Sequence, residues 1–217
     1  AGDANNAPAP DVTRSFVVKD TQAITFPAIA DIGVDAAPFP LTATASSGLA
    51  ITYTSLTPSV CMVNNGTVVV LGPGDCSIKT SQSGNGNYVA APDVVRTFTI
   101  KANQTITFGP LSDRLYNDPD FSPSATASST LPVIYTSSTP SVCTIVANNV
   151  HLVAPGTCTV TATQDGGVSG GLTYNAAAPV TQSFIATPVP QSINFPTLPN
   201  RSIYDGSFLL NATASSG

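Results

Sequence analysis

Apolar and polar residues alternate with a period of two through much of the chain. In 157–163, Cys158, Val160 and Ala162 fall on one face, and Thr157, Thr159, Thr161 and Thr163 fall on the other. That alternation predicts a strand with one face in a core and the other in water. Similar runs, cut by Gly, Pro, Asn and Ser, predict strands near 22–27, 40–46, 50–55, 60–63, 67–71, 75–82 and 94–101. A second set is predicted near 104–109, 122–128, 132–137, 142–146, 149–153, 157–164 and 180–186. Seven short strands in each set match the strand count of a two-sheet sandwich.

The two sets are copies. Set 82 positions apart, residues 21–83 and 103–165 share 25 identities in 63 positions without a gap. Thr57-Pro58-Ser59-Val60-Cys61 falls on Thr139-Pro140-Ser141-Val142-Cys143, and Ala43–Ser47 on Ala125–Ser129. Such a period is the mark of a repeat architecture. The ends carry the same pattern. Arg14-Ser15-Phe16 matches Arg96-Thr97-Phe98, so residues 1–20 read as the last strand of a preceding repeat. Ile193-Asn194-Phe195 and Ala212–Ser216 open a further repeat over 188–217. The expected organisation is therefore a tail at 1–20, repeats at 21–102 and 103–187, and the start of another at 188–217. Short junctions, one of them Pro188-Val189-Pro190, predict a semi-rigid rod. The second repeat is longer between Gln164 and Tyr174, which predicts a surface loop.

Composition narrows the function classes. Apolar residues make up 42% and charged residues 9%, and every one of the 12 acidic residues is Asp. Residues that favour long helices are scarce and β-branched ones are plentiful, which again gives an all-β chain. The net charge is −5, with no basic cluster, so no nucleic-acid partner is expected. No apolar run approaches the roughly 18 residues of a spanning helix, so no direct membrane insertion of this segment is expected.

Each complete repeat carries one cysteine pair, Cys61 with Cys76 and Cys143 with Cys158, 15 positions apart. Recurrence and a shared inward face favour a disulfide within each repeat, leaving free buried thiols and a metal site as alternatives. A disulfide implies an oxidising compartment. The single histidine, His151, replaces Val69 of the first repeat and reads as an ordinary strand residue. Asp113, Asp118 and Asp120 form the densest acidic group. Their counterparts are Asp31, Ala36 and Pro38, so turn formation is the expected role and calcium binding the alternative. The threonine face at 157–163 has a binding-array reading, against simple strand propensity on a wet face. No catalytic residue, cofactor site or metal site is expected, and the chain reads as a non-enzyme.

Ser46-Ser47-Gly48-Leu49, Ile51–Ser55 and Thr57–Cys61, followed by Val68–Leu71 and Gly74-Asp75-Cys76, resemble the bacterial immunoglobulin-like tandem repeats of large surface and secreted adhesin-like proteins. Gln104–Phe108 and the Asn87-Tyr88 to Pro92 stretch carry the same resemblance. It implies immunoglobulin-like β-sandwich repeats arranged as a rod, extracellular or cell-surface, and acting as an adhesin stalk or surface filament. A carbohydrate- or host-protein-binding module, and an accessory arm of a secreted enzyme, are the competing functions. The expected partners are neighbouring repeats and, through exposed strand edges, other copies side by side or end to end.

Overall fold

A computed structural model describes residues 4–216. The chain divides into two compact units. One comprises residues up to Asn103 together with Gly170–Asn175; the other comprises Gln104–Ser169 and the chain from Ala176 onward.

The first unit is built from β1 (Ile24–Thr25), β2 (Ile32–Gly33), β3 (Phe39–Pro40), β4 (Thr44–Ala45), β5 (Thr52–Ser55), β6 (Cys61–Asn64), β7 (Thr67–Val70), β8 (Gly74–Ser81) and β9 (Val94–Lys101). One sheet has the order β2-β9-β8-β5, and the facing one has the order β3-β7-β6. β8 is antiparallel to both neighbours, with Cys76 opposite Phe98 and Tyr53 opposite Thr80. β2 runs parallel to β9, with Ile32 opposite Ile100. β1 and β4 form a separate antiparallel pair, Ile24 opposite Ala45. Along β8 every second residue, Cys76, Ile78 and Thr80, is buried. Cys76 and Ile78 meet Phe26, Val68, Phe98 and Ile100 between the sheets, and Thr80 Oγ1 donates to Val94 O at 2.9 Å. The result is an immunoglobulin-like β-sandwich.

The second unit repeats the plan with β10 (Ile106–Thr107), β11 (Arg114–Leu115), β12 (Thr126–Ala127), β13 (Ile134–Ser137), β14 (Cys143–Val146), β15 (Asn149–Leu152), β16 (Gly156–Thr163), β17 (Gly167–Ser169), β18 (Leu172–Tyr174) and β19 (Val180–Thr187). Of these, β18 is counted with the first unit. The main sheet has the order β11-β19-β16-β13, and β14 pairs with β15. Cys158, Val160 and Ala162 of β16 lie in the core, and the threonines between them point out. The chain beyond adds one short pair, β20 (Ile193–Asn194) with β21 (Thr213–Ala214).

The hairpin turns show how local sequence meets this plan. Asn65 and Gly66, with φ of 48° and 74°, link β6 to β7. Two consecutive positive φ values are what a two-residue hairpin turn needs, and Asn-Gly supplies them at least cost. The equivalent turn is Ala147-Asn148, with φ of 47° and 65°. The Asn148 side chain offsets part of that strain: it donates to Val133 O at 3.2 Å and accepts from Tyr135 N–H at 3.3 Å.

The all-β sandwich matches the sequence expectation; several strand bounds do not. The run at 40–46 is two elements, because Phe39–Pro40 pairs with β7 while Thr44–Ala45 pairs with β1. In the second unit the run at 122–128 keeps only β12, and Phe121 just before it makes a single bridge to Val150. Pro123 has no N–H to continue a ladder there. β2 and β11 were not legible at all, since two residues show no period. The stretch between Gln164 and Tyr174 carries β17 and β18 where a plain loop was expected.

Candidate functional site

The recurring chemistry of both units is a set of buried ties. Cys61 on β6 is bonded to Cys76 on β8, and Cys143 on β14 to Cys158 on β16. All four residues are fully buried. β6 and β8 belong to different sheets, so in the first unit the bond fastens the two layers covalently. The Ser-x-Thr-Pro-Ser-Val-Cys run builds the approach. Thr57 C=O accepts from Val60 and Cys61 N–H at 2.9 and 3.1 Å, and Ser55 Oγ accepts from Thr57 N–H at 3.2 Å. Thr57 Oγ1 accepts from Ser77 N–H at 3.0 Å, which joins this turn to β8. Ser137, Thr139, Val142 and Cys143 reproduce each of these bonds within about 0.1 Å. The strongest identity run in the sequence is therefore a structural turn beside the disulfide.

A second tie is polar. Gln22 Nε2 donates to Gln82 Oε1 and to Val89 O, the latter at 2.8 Å, while Ser47 Oγ donates to Gln22 Oε1. Gly84 N–H also donates to Gln82 Oε1, at 2.6 Å. In the second unit Gln104 Nε2 donates to Gln164 Oε1, Ser129 Oγ to Gln104 Oε1, and Gly166 N–H to Gln164 Oε1 at 2.7 Å. All four glutamines are buried. A buried amide is tolerable only with its partners in place, so each network depends on all its members.

The third tie is a tyrosine hook. Tyr53 Oη accepts from Ala43 N–H at 2.9 Å, and Tyr135 Oη accepts from Ala125 N–H at 2.9 Å. Tyr135 also donates to Pro123 O at 2.9 Å. The rings lie beside Phe26 and Phe108, centroids 6.1 and 5.8 Å apart.

The acidic group divides among separate tasks. Asp113 Oδ1 accepts from Ile185 N–H at 2.7 Å, as Asp31 Oδ1 accepts from Thr99 N–H at 2.9 Å. Asp118 Oδ2 accepts from Leu115 N–H at 3.0 Å. Asp120 Oδ1 lies 2.8 Å from His151 Nδ1, with both side chains about half exposed. A His–Asp pair becomes a relay only with a nucleophile at the other ring nitrogen. His151 Nε2 has no partner among the described residues. Among the described residues no three His, Cys or Asp side chains gather as a metal site.

On the outer face of the second unit, hydroxyls pair across β16 and β19. Thr159 meets Ser183 and Thr161 meets Thr181, each at 2.9 Å. In the first unit Ser77 meets Thr97 at 2.6 Å and Thr99 Oγ1 donates to Asp75 at 2.9 Å. These hydroxyls satisfy one another, in keeping with a wet sheet face.

No known protein family matches the sequence, and no curated protein is similar to it. Among solved structures the chain is similar to human protocadherin-24 EC1-2, at 17% identity over 77% of this chain and 99% of that one, with TM-score 0.33. It is similar to Drosophila OTK extracellular domains 3-5, at 11% identity over 77% of this chain and 62% of that one, with TM-score 0.47. It is also similar to a C-terminal 282-residue fragment of intimin in complex with the Tir intimin-binding domain, at 19% identity and TM-score 0.35; the match covers 66% of this chain and 52% of that one. At TM-scores under 0.5 these likenesses carry no weight for activity or partners. The immunoglobulin-like fold rests on the strand order and register of the chain itself.

Proposed function

We propose that the chain is a stretch of a non-catalytic repeat array in an extracellular bacterial surface protein, serving as an adhesin stalk or surface filament. The observation that carries this reading is the agreement of the two units at the level of single hydrogen bonds. Disulfide, turn, glutamine network and tyrosine hook recur in both. All of that shared chemistry is internal. A spacer needs each unit to add length and to resist unfolding, and needs no unit to differ from its neighbour.

The ends support the same reading. Arg14, Phe16 and Val18 stand where β9 has Arg96, Phe98 and Ile100. Phe98 and Ile100 are buried, while Phe16 and Val18 are 88% and 81% exposed. This correspondence supports reading residues 1–20 as the last strand of a preceding repeat. Reading the 188–217 stretch as the start of a following one is supported by Arg201, which covers Phe208 at 4.5 Å, as Arg114 covers Phe121 at 4.0 Å. Ser202 N–H donates to Asp205 at 2.9 Å, as Leu115 N–H does to Asp118. Buried disulfides in both units suit an oxidising exterior.

Electron microscopy of the native full-length protein, on cells and released from them, tests this function. Elongated projections with a beaded repeat of roughly 40 Å are expected, from strands rising about 3.3 Å per residue plus turns. A compact particle would contradict it.

A further inference from the structure

Ahead of Gln22 and Gln104, two residues before each, the backbone makes the same unusual pairing. Asp20 N–H donates to Asn87 O at 2.8 Å, and Val89 N–H donates to Asp20 O at 3.0 Å, forming a parallel bridge centred on Tyr88. Ala102 N–H donates to Thr173 O at 2.8 Å, and Asn175 N–H donates to Ala102 O at 2.9 Å, forming a bridge centred on Tyr174. Both bridges lie inside the first unit. Asn175 Nδ2 also donates to Asn103 Oδ1 at 3.0 Å and sits close over Gly33. Each tyrosine-bearing turn therefore follows its Gln in the sequence and returns to the residue just ahead of it.

Val189 occupies that place before Gln191. Between Pro188 and Pro190, it is the one residue there that has an N–H to give. The surrounding register recurs: Tyr116 N–H donates to Thr187 O at 3.0 Å, as Val34 N–H donates to Lys101 O at 2.8 Å. Val189 has no backbone partner among the described residues and is 39% exposed. It forms part of the wall of a cleft of about 380 Å³, with Tyr116, Asn117, Gln191, Ser215 and Ser216 around it. Ser216 Oγ donates to Gln191 Oε1 at 2.7 Å, as Ser47 and Ser129 donate to Gln22 and Gln104, and among the described residues no second glutamine bonds to Gln191.

We infer that this cleft is the seat for the tyrosine-bearing turn of a further repeat of the same kind. The turn pairs its backbone with the N–H and C=O of Val189, and the repeat supplies the second glutamine to Gln191. The inference rests on the repeat-array reading above and adds to it a specified contact. The contact is the one that Tyr88 makes with Asp20 and Tyr174 makes with Ala102.

The test joins a copy of residues 104–187 directly after Pro190, in place of 191–217, and follows amide exchange by NMR. Val189 N–H is expected to exchange at least about tenfold more slowly than in the parent chain. The appended copy's Asn175 N–H should be protected as well, and Val189→Pro should release it. Val189 exchanging at the parent rate while the appended copy's Val160 N–H is protected would overturn the seat and leave the array reading standing. An appended copy with no protected core would count against the array reading and remove the occupant with it. Protection of Val189 in the parent chain that grows with concentration would place a second molecule in the cleft and overturn the assignment to a following repeat.

Discussion

The disulfides hide a defined length of chain from load. In the first unit Cys61 and Cys76 are separated by 15 positions, yet their Cα atoms are 5.7 Å apart. Fully extended, 15 residues span about 50 Å at roughly 3.3–3.6 Å each. Each intact bond therefore withholds about 45 Å when its unit unfolds under force. The perturbation is Cys61→Ala together with Cys76→Ala, which frees one unit and leaves Cys143–Cys158 as an internal control. The chain is pulled from its ends in an optical trap under non-reducing conditions. Two unfolding steps of similar length are expected for the parent. In the variant one step grows by about 45 Å while the other is unchanged, and the grown step occurs at lower force. The drop reflects the roughly 3 kcal/mol that a 15-residue closure contributes in the chain-entropy model. Unchanged steps, or two steps that both lengthen, would refute the assignment of one independent staple to each unit.

Three further predictions concern the ties around the staples, each read by urea unfolding. Tyr135→Phe leaves Ala125 N–H and Pro123 O without their partner and should destabilise the second unit by about 1–2 kcal/mol; no change would mean water replaces the hydroxyl. Gly156→Ala should cost more than Gly74→Ala, because both sit at positive φ but the new Cβ would lie 2.8 Å from Val142 in one case and 3.4 Å from Val60 in the other. Equal costs would show that backbone conformation alone decides. Ala147→Gly relieves a positive φ in the β14–β15 turn and should stabilise the second unit by about 0.5–1 kcal/mol, and destabilisation would contradict the turn geometry.

Much of this molecule could be read from residue order because each core strand is long enough to show its period. β8 and β16, at eight residues each, alternate visibly, and Cys, Val and Ile mark the buried face. The two-residue strands β2 and β11 carry no such signal; their place is set by parallel pairing with β9 and β19, a tertiary fact. The glutamine networks were present as bare identities: Gln22 with Gln104, and Gln82 with Gln164. Nothing local distinguishes a buried glutamine from an exposed one, so their meaning appears only when segments 60 residues apart meet. Asp113, Asp118 and Asp120 look like one cluster along the chain. Each answers to a different group: Asp113 to the Ile185 N–H on β19, Asp118 to the Leu115 N–H on β11, and Asp120 to the His151 ring on β15.

The most direct test of the proposed spacer role is to remove residues 21–102 in frame from the native full-length protein and measure the two things that role predicts, the length of a surface projection and cell binding at its tip. Asp20 then joins Asn103, which restores the Ala102–Asn103 junction at the same register. A projection shorter by roughly 40 Å with binding per exposed tip unchanged is the predicted result. Unchanged length, or binding lost along with the repeat, would contradict a spacer and assign the repeat a recognition role of its own.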